Sequence, residues 1–300
     1  MADADILKRE LKDKKEIFEK YMEDWVGSRP EGVPPLMWNA MVYSLKVGGK
    51  RLRPVLCMAA AELLGGRADL VLPMAMALEM VHTASLIHDD LPAMDDDVLR
   101  RGQPTNHVVY GEALAILAGD ALLCQAFELP LTELSSEISR ENVVKAVAHF
   151  ARSIGPGGIC GGQVLDMESE GSEKDCSSPT EISTLKTAAL IRTSLITGAI
   201  LSGGSSEDLE VLESYGLELG VAFQIADDIL DVKGDQEELG KSLGKDEAHG
   251  KRTFVSDSGM EDAMRNLKER TERAISSLDR FGESSAFLRE LALYLEHRTR

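Results

Sequence analysis

The sequence has few aromatic residues and lacks the turn signals of a β-protein. Phe, Trp and Tyr make up 5% of its 300 residues, and no Asn-Gly or Asp-Gly dipeptide separates two alternating apolar segments. Strands favour aromatic and β-branched residues, and these dipeptides are the strongest short hairpin signal. Ala, Leu, Met and Glu, which favour helices, instead recur at helical spacing. The sequence therefore predicts an all-α protein.

Cysteine is also scarce and dispersed. The chain has 4 cysteines, Cys57, Cys124, Cys160 and Cys176, and no C-x-x-C pair. This spacing argues against a structural zinc site and against a dense disulfide framework. A reducing, cytoplasmic location fits this pattern and is the prediction.

Positive charge is in deficit. The formal net charge is −18 and the pI is near 4.8, so long-range electrostatics oppose binding to nucleic acid or to anionic lipid. The N-terminus lacks a basic segment followed by an apolar one, and no uninterrupted apolar run approaches the ~20 residues that cross a bilayer. We expect a soluble protein with no nucleic-acid partner and no membrane span.

The composition is that of one globular domain. Hydrophobic residues make up 43% of the chain, and no shift in composition divides it, so residues 1–300 are predicted to form a single domain. Gly- and Pro-rich stretches mark turns between the periodic segments. The predicted helices are 3–25, 35–47, 52–64, 69–90, 111–135, 140–154, 158–169, 181–202, 206–232, 260–280 and 284–297, with a polar loop over 168–180.

Two acidic clusters lie next to segments that have the apolar periodicity of helices. In HDDLPAMDDDVLRR (88–101), Pro92 ends or kinks a helix, so Asp89 and Asp95 can turn toward one point. In FQIADDILD (223–231), Asp227 and Asp231 are four residues apart and share a helix face. Either cluster alone is most often a solvated surface. Together, next to core-like residues, they favour a hard cation that offsets the cost of burying carboxylates, and Mg²⁺ suits this donor set.

Basic residues occur in short turns and not along a dispersed solvated face. Such residues can hold phosphate as point charges or as bidentate forks. Arg51 and Lys245 can equally be ordinary surface residues. The motifs are GGKRLRP with Lys50, Arg51 and Arg53, LRRG with Arg100 and Arg101, and LGKSLGKDEAHGK with Lys241, Lys245 and Lys251. Acidic and basic sets together suggest a diphosphate bound through Mg²⁺ on one side and by Lys and Arg on the other.

At this point the sequence resembles the trans-isoprenyl diphosphate synthases over about residues 35–255. Five motifs occur in the order and spacing of that family: GGKRLRP, DDLPAMDDDVLRRGQPTNH, GGQVLD, KTAAL and FQIADDILD. The resemblance implies a helical isoprenoid-synthase bundle around a deep central cavity, usually homodimeric, with the acidic motifs facing each other. It departs from the family at KRTFVSDSGM (251–260), which leaves the segment after Lys251 open.

The resemblance also implies roles for individual residues. Asp89, Asp95, Asp227 and Asp231 would bind three Mg²⁺ with an allylic diphosphate, and Arg100, Lys241 and Lys251 would contact that diphosphate directly. Lys50, Arg53, His82 and Arg101 would hold isopentenyl diphosphate. Lys186, Thr187 and Gln224 would direct oxygen atoms at the allylic cation. His82 alone would more often be a satisfied core histidine, and Thr187 alone an ordinary helix residue.

The reaction implied is loss of diphosphate, attack of the isopentenyl double bond, and proton loss. Metal ions and cationic side chains stabilise the leaving charge, so no protein nucleophile is needed. Chain growth is expected to stop where the tail meets the cavity floor, and helix geometry makes the residues four and five positions before Asp89 the candidate wall. Farnesyl synthases of this type commonly place an aromatic residue there, whereas this sequence has Ala84 and Ser85, with Val81 or Met80 as the next barrier. A C20 product is therefore expected over C15.

Two other functions fit parts of the pattern. A terpene cyclase would ionise the same allylic substrate without isopentenyl diphosphate, and the turn with Lys50 and Arg53 argues against it. A non-catalytic regulatory subunit of a prenyl synthase is the second alternative, and the complete aspartate motifs disfavour it. The basic end LEHRTR (295–300) would either help to cover a diphosphate or fray.

Overall fold

The computed structural model describes residues 2–169, 177–234 and 252–298. Almost all of this chain is helical, and one antiparallel pair, β1 (Leu99–Arg100) with β2 (Gln103–Pro104), is the strand structure of the described residues. The α-helices are α1 Ala2–Gly27, α2 Pro35–Lys46, α3 Leu52–Leu63, α4 Leu72–Asp89, α5 Asn106–Tyr110, α6 Glu112–Glu133, α7 Arg140–Ile154, α8 Ile159–Ser169, α9 Pro179–Ser183, α10 Ala189–Leu201, α11 Ser206–Lys233, α12 Phe254–Ser258, α13 Met260–Ser277 and α14 Ala286–His297.

The central helices are α4 and α10. Nearly every side chain of α10 is buried, and the helix packs against α3, α7 and α11. Helix α4 packs against α3 and α6 and buries residues on all sides. Helices that are apolar all round belong in the interior of a protein. The core therefore surrounds these two helices, and the C-terminal ends of α4 and α11 lie at the candidate site described below.

The predicted helices are confirmed, with ends that shift by a few residues. The prediction for 69–90 splits into a 3₁₀ turn, Ala68–Val71, followed by α4. The predicted 181–202 helix divides into α9, a π-helical segment over Thr184–Ala188, and α10. Sequence periodicity could not find the short α5 and α12, since each has five residues and spans little more than one turn.

Helix ends follow their local sequences. Ser205 and Asp208 form a reciprocal capping box at the start of α11, and Gly234 ends that helix with φ of 77°. Asp89 is the last residue of α4, one residue before the predicted end and before Pro92. The divergent segment begins with a capping box between Thr253 and Ser256, which starts α12.

Three segments of the described chain are long and apolar enough to cross a membrane, by length and composition alone. They are Ala68–Asp89, Glu112–Glu133 and Pro179–Leu201, and 72%, 39% and 67% of their most apolar windows are buried inside the structure. The first and third segments therefore supply core surface. Helix α6 keeps more of its apolar surface exposed than the other two.

Candidate active site

A pocket of about 200 Å³ opens where α4, α9, the π-helical segment and α11 meet. Acidic and basic side chains from distant parts of the sequence line it together with a few apolar ones. The lining residues include Leu86, Asp89, Asp95, Asp97, Arg100, Asp166, Ile182, Lys186, Thr187, Gln224, Asp228, Arg252 and Phe254. Several of the residues predicted from sequence thus share one cavity.

The first acidic motif folds back at the end of α4. The backbone N–H of Asp95 donates to the carbonyl oxygen of Asp89 at 2.8 Å, and the N–H of Met94 donates to the carbonyl oxygen of Leu91 at 2.8 Å. These bonds close the turn that Pro92 starts. They carry Asp95 back over the helix end, so that both Asp89 and Asp95 line the pocket.

The neighbouring aspartate, Asp90, has a different environment. Its side chain is 5% exposed, and its Oδ1 accepts from Nε of Arg100 at 2.8 Å and lies 2.6 Å from Nη2. Burial raises the pKa of Asp90, and the Arg100 guanidinium opposes that rise. Asp97 lies 3.6 Å from the same guanidinium. Asp90 therefore orients Arg100, a predicted diphosphate ligand that itself lines the pocket.

The opposite wall is a row of hydrogen bonds between the π-helical segment and α11. Oγ1 of Thr187 donates to Oε1 of Gln224 at 2.9 Å, and Nε2 of Gln224 donates to Oδ1 of Asp228 at 2.9 Å. Thr187 and Gln224, two predicted catalytic residues, are thus in direct contact. Sequence reasoning had given Asp228 no role.

The third predicted catalytic residue, Lys186, is held from α8. Its Nζ lies 2.5 Å from Oδ2 of Asp166, the acid that ends the GGQVLD motif. Gly162 of the same motif packs on the backbone of Leu185 and Lys186, where a Cβ would overlap the Lys186 nitrogen. Helix α8 therefore positions the π-helical segment through an ion pair and a close backbone approach.

A basic cluster, formed by Arg51, Arg53, His82 and Arg101, lies beside the turn of the GGKRLRP motif. Arg101 donates from Nη1 to the carbonyl oxygen of Gly48, next to Gly49 and Lys50. Burial lowers the pKa of Arg53 to about 10, and it also lowers the pKa of Arg101. Burial, followed by the guanidinium groups of Arg53 and Arg101, holds the pKa of His82 well below its usual value. The residues predicted for isopentenyl diphosphate thus come together.

Glu79 is a buried acid that partly balances this cluster. It is 2% exposed, and its Oε1 accepts from Nη1 of Arg51 at 2.6 Å, while Nη2 of Arg51 donates to the Leu45 carbonyl oxygen at 2.8 Å. Its charge also raises the pKa values of Arg53 and Arg101 against the effect of burial. Arg51 is itself 4% exposed, so the interpretation of Arg51 as an ordinary surface residue is wrong, and this arginine has a structural role in the interior. A lone Glu within the apolar segment LPMAMALEMV, three residues before His82, was the signal that could have revealed this partner.

Asp227 and Asp231 lie on α11 outside the pocket lining. Asp231 is 7% exposed. Oδ1 of Asp227 lies 3.7 Å from Nη2 of Arg298, whose side chain is 2% exposed and stacks over the ring of Phe223 at 5.9 Å. The basic end of the chain is therefore packed against α11 at Arg298 and is not frayed there. Lys241 and Lys251 lie outside the described residues.

The predicted chain-length residues form one side of α4 below Asp89. Ala84 is fully buried and Val81 is 2% exposed. Ser85, one turn from Asp89, is partly exposed, and its hydroxyl donates to the carbonyl oxygen of His82 at 2.9 Å. These three residues are not among those that line the pocket, to which α4 contributes Leu86 and Asp89.

The carboxylates fit Mg²⁺ in one specific way. Within residues 2–169, 177–234 and 252–298, no three His, Cys, Asp or Glu side chains are arranged as a ready metal site. Mg²⁺ usually takes one or two protein carboxylates and completes its octahedron with water and substrate phosphates. Asp89 and Asp95 on one pocket wall supply such a pair, so the residues present fit a metal that binds together with a diphosphate.

Comparison with known proteins gives a consistent match. The polyprenyl synthetase family model matches residues 34–287. The chain is 42% identical to a geranylgeranyl diphosphate synthase of Cyanophora paradoxa, over 96% of this chain and 95% of that protein. It is also 42% identical to a farnesyl diphosphate synthase of Bacillus subtilis (strain 168), over 86% of each chain. A solved FPP/GFPP synthase of Zymomonas mobilis superposes with a TM-score of 0.84 at 34% identity, covering 98% of this chain and 99% of that one.

Proposed function

Since the chain belongs to the polyprenyl synthetase family and is a short-chain prenyltransferase of all-α isoprenoid-synthase fold, we propose that it makes geranylgeranyl diphosphate, a C20 product, from isopentenyl diphosphate and an allylic diphosphate. The observation that carries this proposal is the pocket. Asp89 and Asp95 line it opposite Lys186, Thr187 and Gln224. The C20 length is supported by the small residues Ala84 and Ser85 below Asp89.

The aspartates are the proposed holders of the metal. Asp89 and Asp95 from the first acidic motif, with Asp227 and Asp231 from α11, would hold Mg²⁺, three ions by resemblance to the family. Bound there, Mg²⁺ supplies Lewis-acid stabilisation of the departing diphosphate. Arg100, held by Asp90, and Lys186, held by Asp166, add fixed positive charge at the pocket. Lys241 and Lys251 are proposed as further contacts to the allylic diphosphate.

The oxygen atoms around Thr187 are the proposed stabilisers of the allylic cation. A π-helical turn departs from the regular hydrogen-bond pattern of an α-helix and recurs at functional sites. Here it lies at Lys186 and Thr187, with the Gln224 oxygen within 2.9 Å of the Thr187 hydroxyl. Oriented dipoles in a site that excludes water stabilise developing positive charge without reorganisation. The proton lost in the last step passes to the released diphosphate.

The basic cluster is the proposed site for isopentenyl diphosphate. Arg53 and Arg101 provide positive charge: burial lowers the pKa of both, but the pKa of Arg53 stays at about 10, and Glu79 opposes the lowering at both residues. His82 is neutral at pH 7, because its pKa lies well below the usual value, and a neutral imidazole still donates one N–H. Lys50 follows Gly49, at which an added Cβ would meet the Arg101 guanidinium.

Incubation with Mg²⁺, labelled isopentenyl diphosphate and dimethylallyl, geranyl or farnesyl diphosphate, followed by sizing of the products, tests the proposal. A C20 diphosphate is expected. A cyclic hydrocarbon formed from the allylic diphosphate alone would identify a terpene cyclase. A lack of turnover with every starter would favour the regulatory subunit.

We also propose a homodimer, formed through α5 and α6. Val108, Val109, Ile116 and Leu117 are between 44% and 51% exposed, and they lie on two helices that contact each other. Contiguous exposed apolar surface marks interaction sites, and closed twofold dimers are the commonest oligomers.

A cytoplasmic location is proposed from the dispersed cysteines. Of these, Cys57, Cys124 and Cys160 are free thiols, the state that a reducing compartment maintains. Cell fractionation would test this location.

A further inference from the structure

Asp228 joins two parts of the pocket that are distant in sequence. It is 4% exposed on α11 and lines the pocket. Its Oδ1 accepts from Nε2 of Gln224 at 2.9 Å, and its Oδ2 accepts from the backbone N–H of Phe254 at 2.8 Å. One carboxylate therefore binds a proposed catalytic side chain and the first residue of α12.

The hydrogen bonds at Asp228 have a defined direction. Asp228 as a carboxylate only accepts, so it obliges Gln224 to turn its NH₂ group toward it. The Gln224 oxygen then faces Thr187, whose hydroxyl donates to it at 2.9 Å. If the amide turned over, two donors would face each other at Thr187 unless the hydroxyl also rotated. The charge on Asp228 thus sets the orientation of both neighbours.

The contact with Phe254 extends the effect to the divergent segment. Phe254 is 5% exposed and packs with Ile225 and Ile229 of α11 in an apolar cluster. Arg252, Thr253 and Phe254 all line the pocket. The segment that begins after Lys251 is therefore fastened to the same carboxylate that orients Gln224.

We propose that Asp228 is a positioning residue of the prenyl transfer. It fixes the Gln224 oxygen toward Thr187 and holds residues 252–254 as a wall of the pocket. This inference rests on the proposed function, since it concerns the oxygens that face the allylic cation. The hydrogen bonds of Asp228 belong to the folded protein, so they can be tested without measuring catalytic activity.

The variant Asp228→Asn tests the direction of the bonds. Asn offers one acceptor oxygen where Gln224 and Phe254 present two donors, so if Gln224 keeps its orientation one of these donors loses its partner, and if its amide turns over its NH₂ group faces Thr187 in place of its oxygen. We expect kcat to fall by about 10- to 100-fold, the range for small misplacements of catalytic groups, with the KM for isopentenyl diphosphate unchanged. Gln224→Glu sets two carboxylates against each other and is expected to reduce kcat similarly.

The double variant Asp228→Asn with Gln224→Glu separates positioning from a requirement for the charge of Asp228. The introduced glutamate can accept from both the Thr187 hydroxyl and the amide of the introduced asparagine. The oxygen of that asparagine can still accept from the Phe254 N–H. Every hydrogen bond of the row is then restored, with the charge moved by one helical turn. We expect kcat of the double variant to exceed that of either single variant. A double variant no more active than Gln224→Glu alone would overturn the proposal.

Hydrogen exchange of the peptide that contains Phe254, followed by mass spectrometry, provides a second readout. We expect faster exchange of this peptide in Asp228→Ala, which removes the acceptor of the Phe254 N–H, than in the double variant, whose asparagine oxygen can still accept, whereas unchanged exchange in Asp228→Ala would overturn the anchoring role. Glu210→Gln, an exposed change on the same helix, controls for net charge. If the wild-type protein catalyses no prenyl transfer, the proposed function is wrong, but the hydrogen-exchange result still tests the contact between Asp228 and Phe254. An active wild type without rescue would overturn only the role of Asp228.

Discussion

His82 is a histidine surrounded by arginine side chains. Its pKa is held well below the usual 6.5 by burial and then by Arg53 and Arg101. In this state the folded protein binds fewer protons at His82 than the unfolded chain does. Stability therefore rises with pH through the unfolded pKa and is lost as pH falls below about 6.5.

Replacing this side chain removes part of that pH dependence. For His82→Gln we expect the loss in the free energy of unfolding between pH 7.5 and 5.5 to be smaller than in the wild type by about 1 kcal/mol. Urea denaturation at both pH values measures it. His297→Gln, which removes an exposed imidazole, serves as the control. An equal pH dependence in wild type and His82→Gln would contradict this interpretation.

Ala84 is the residue at which product length is most simply tested. It is fully buried one turn above Met80, so a tyrosine must fill space on the side of α4 below Asp89. We expect Ala84→Tyr to shift the product from C20 toward C15, measured by chromatography of the dephosphorylated alcohols. Ala77→Tyr, an equally buried position two turns further from Asp89, is the matched variant. The idea fails if Ala84→Tyr leaves the distribution unchanged.

At the scale of elements, the π-helical segment depends on its contact with α8. Gly162 allows α8 to approach the backbone of Lys186 so closely that a Cβ would overlap it. Packed interiors do not absorb such an overlap without a shift of backbone. The segment Thr184–Ala188 should therefore move when this glycine is replaced.

We expect Gly162→Ala to lower kcat by about 100-fold, because Lys186 and Thr187 are displaced together. Gly157→Ala, in open space before α8 with nothing within 4 Å of its added Cβ, should have nearly wild-type activity. Steady-state kinetics with saturating allylic diphosphate make the comparison. Equal kcat values for the two variants would show that the close approach is unimportant.

At the scale of the molecule, the exposed side of α6 is the proposed dimer contact. Leu117 is 51% exposed and lies beside Ile116 on the helix with the least buried of the three apolar segments. A charge in the middle of an apolar interface is left without a partner when the interface forms. We expect Leu117→Glu to change a dimer into a monomer, measured by light scattering after size exclusion.

Met264→Glu provides the control, because Met264 is 39% exposed on α13, a helix that packs on α11. Its dimer should remain intact. If wild type and Leu117→Glu both elute as monomers, the apolar face serves another partner. Co-sedimentation with lipid vesicles would then show whether that partner is a membrane.

The sequence predicts the positions of the helices more completely than it predicts the chemistry of the candidate site. Long amphipathic or apolar segments such as α4 and α11 follow from periodicity, since a helix repeats every 3.6 residues. Pro92 placed the end of α4, and the motif order indicated which distant segments belong to one site. Asp89, Asp95, Lys186, Thr187 and Gln224 were all predicted, and they line one pocket. Their chemical roles remain predictions.

Sequence alone determined the helical class, the positions of the long helices and the identity of the acidic and basic motifs, because these depend on near neighbours in the chain. Only the tertiary structure decided that Asp90 orients Arg100, that Glu79 partly balances the basic cluster, and that Asp228 binds both Gln224 and Phe254. Most of these contacts join residues from different elements of the fold. The sequence of a motif does not show whether its carboxylate will face a metal, an arginine or a backbone amide. The packing of the helices decides which of these partners it meets.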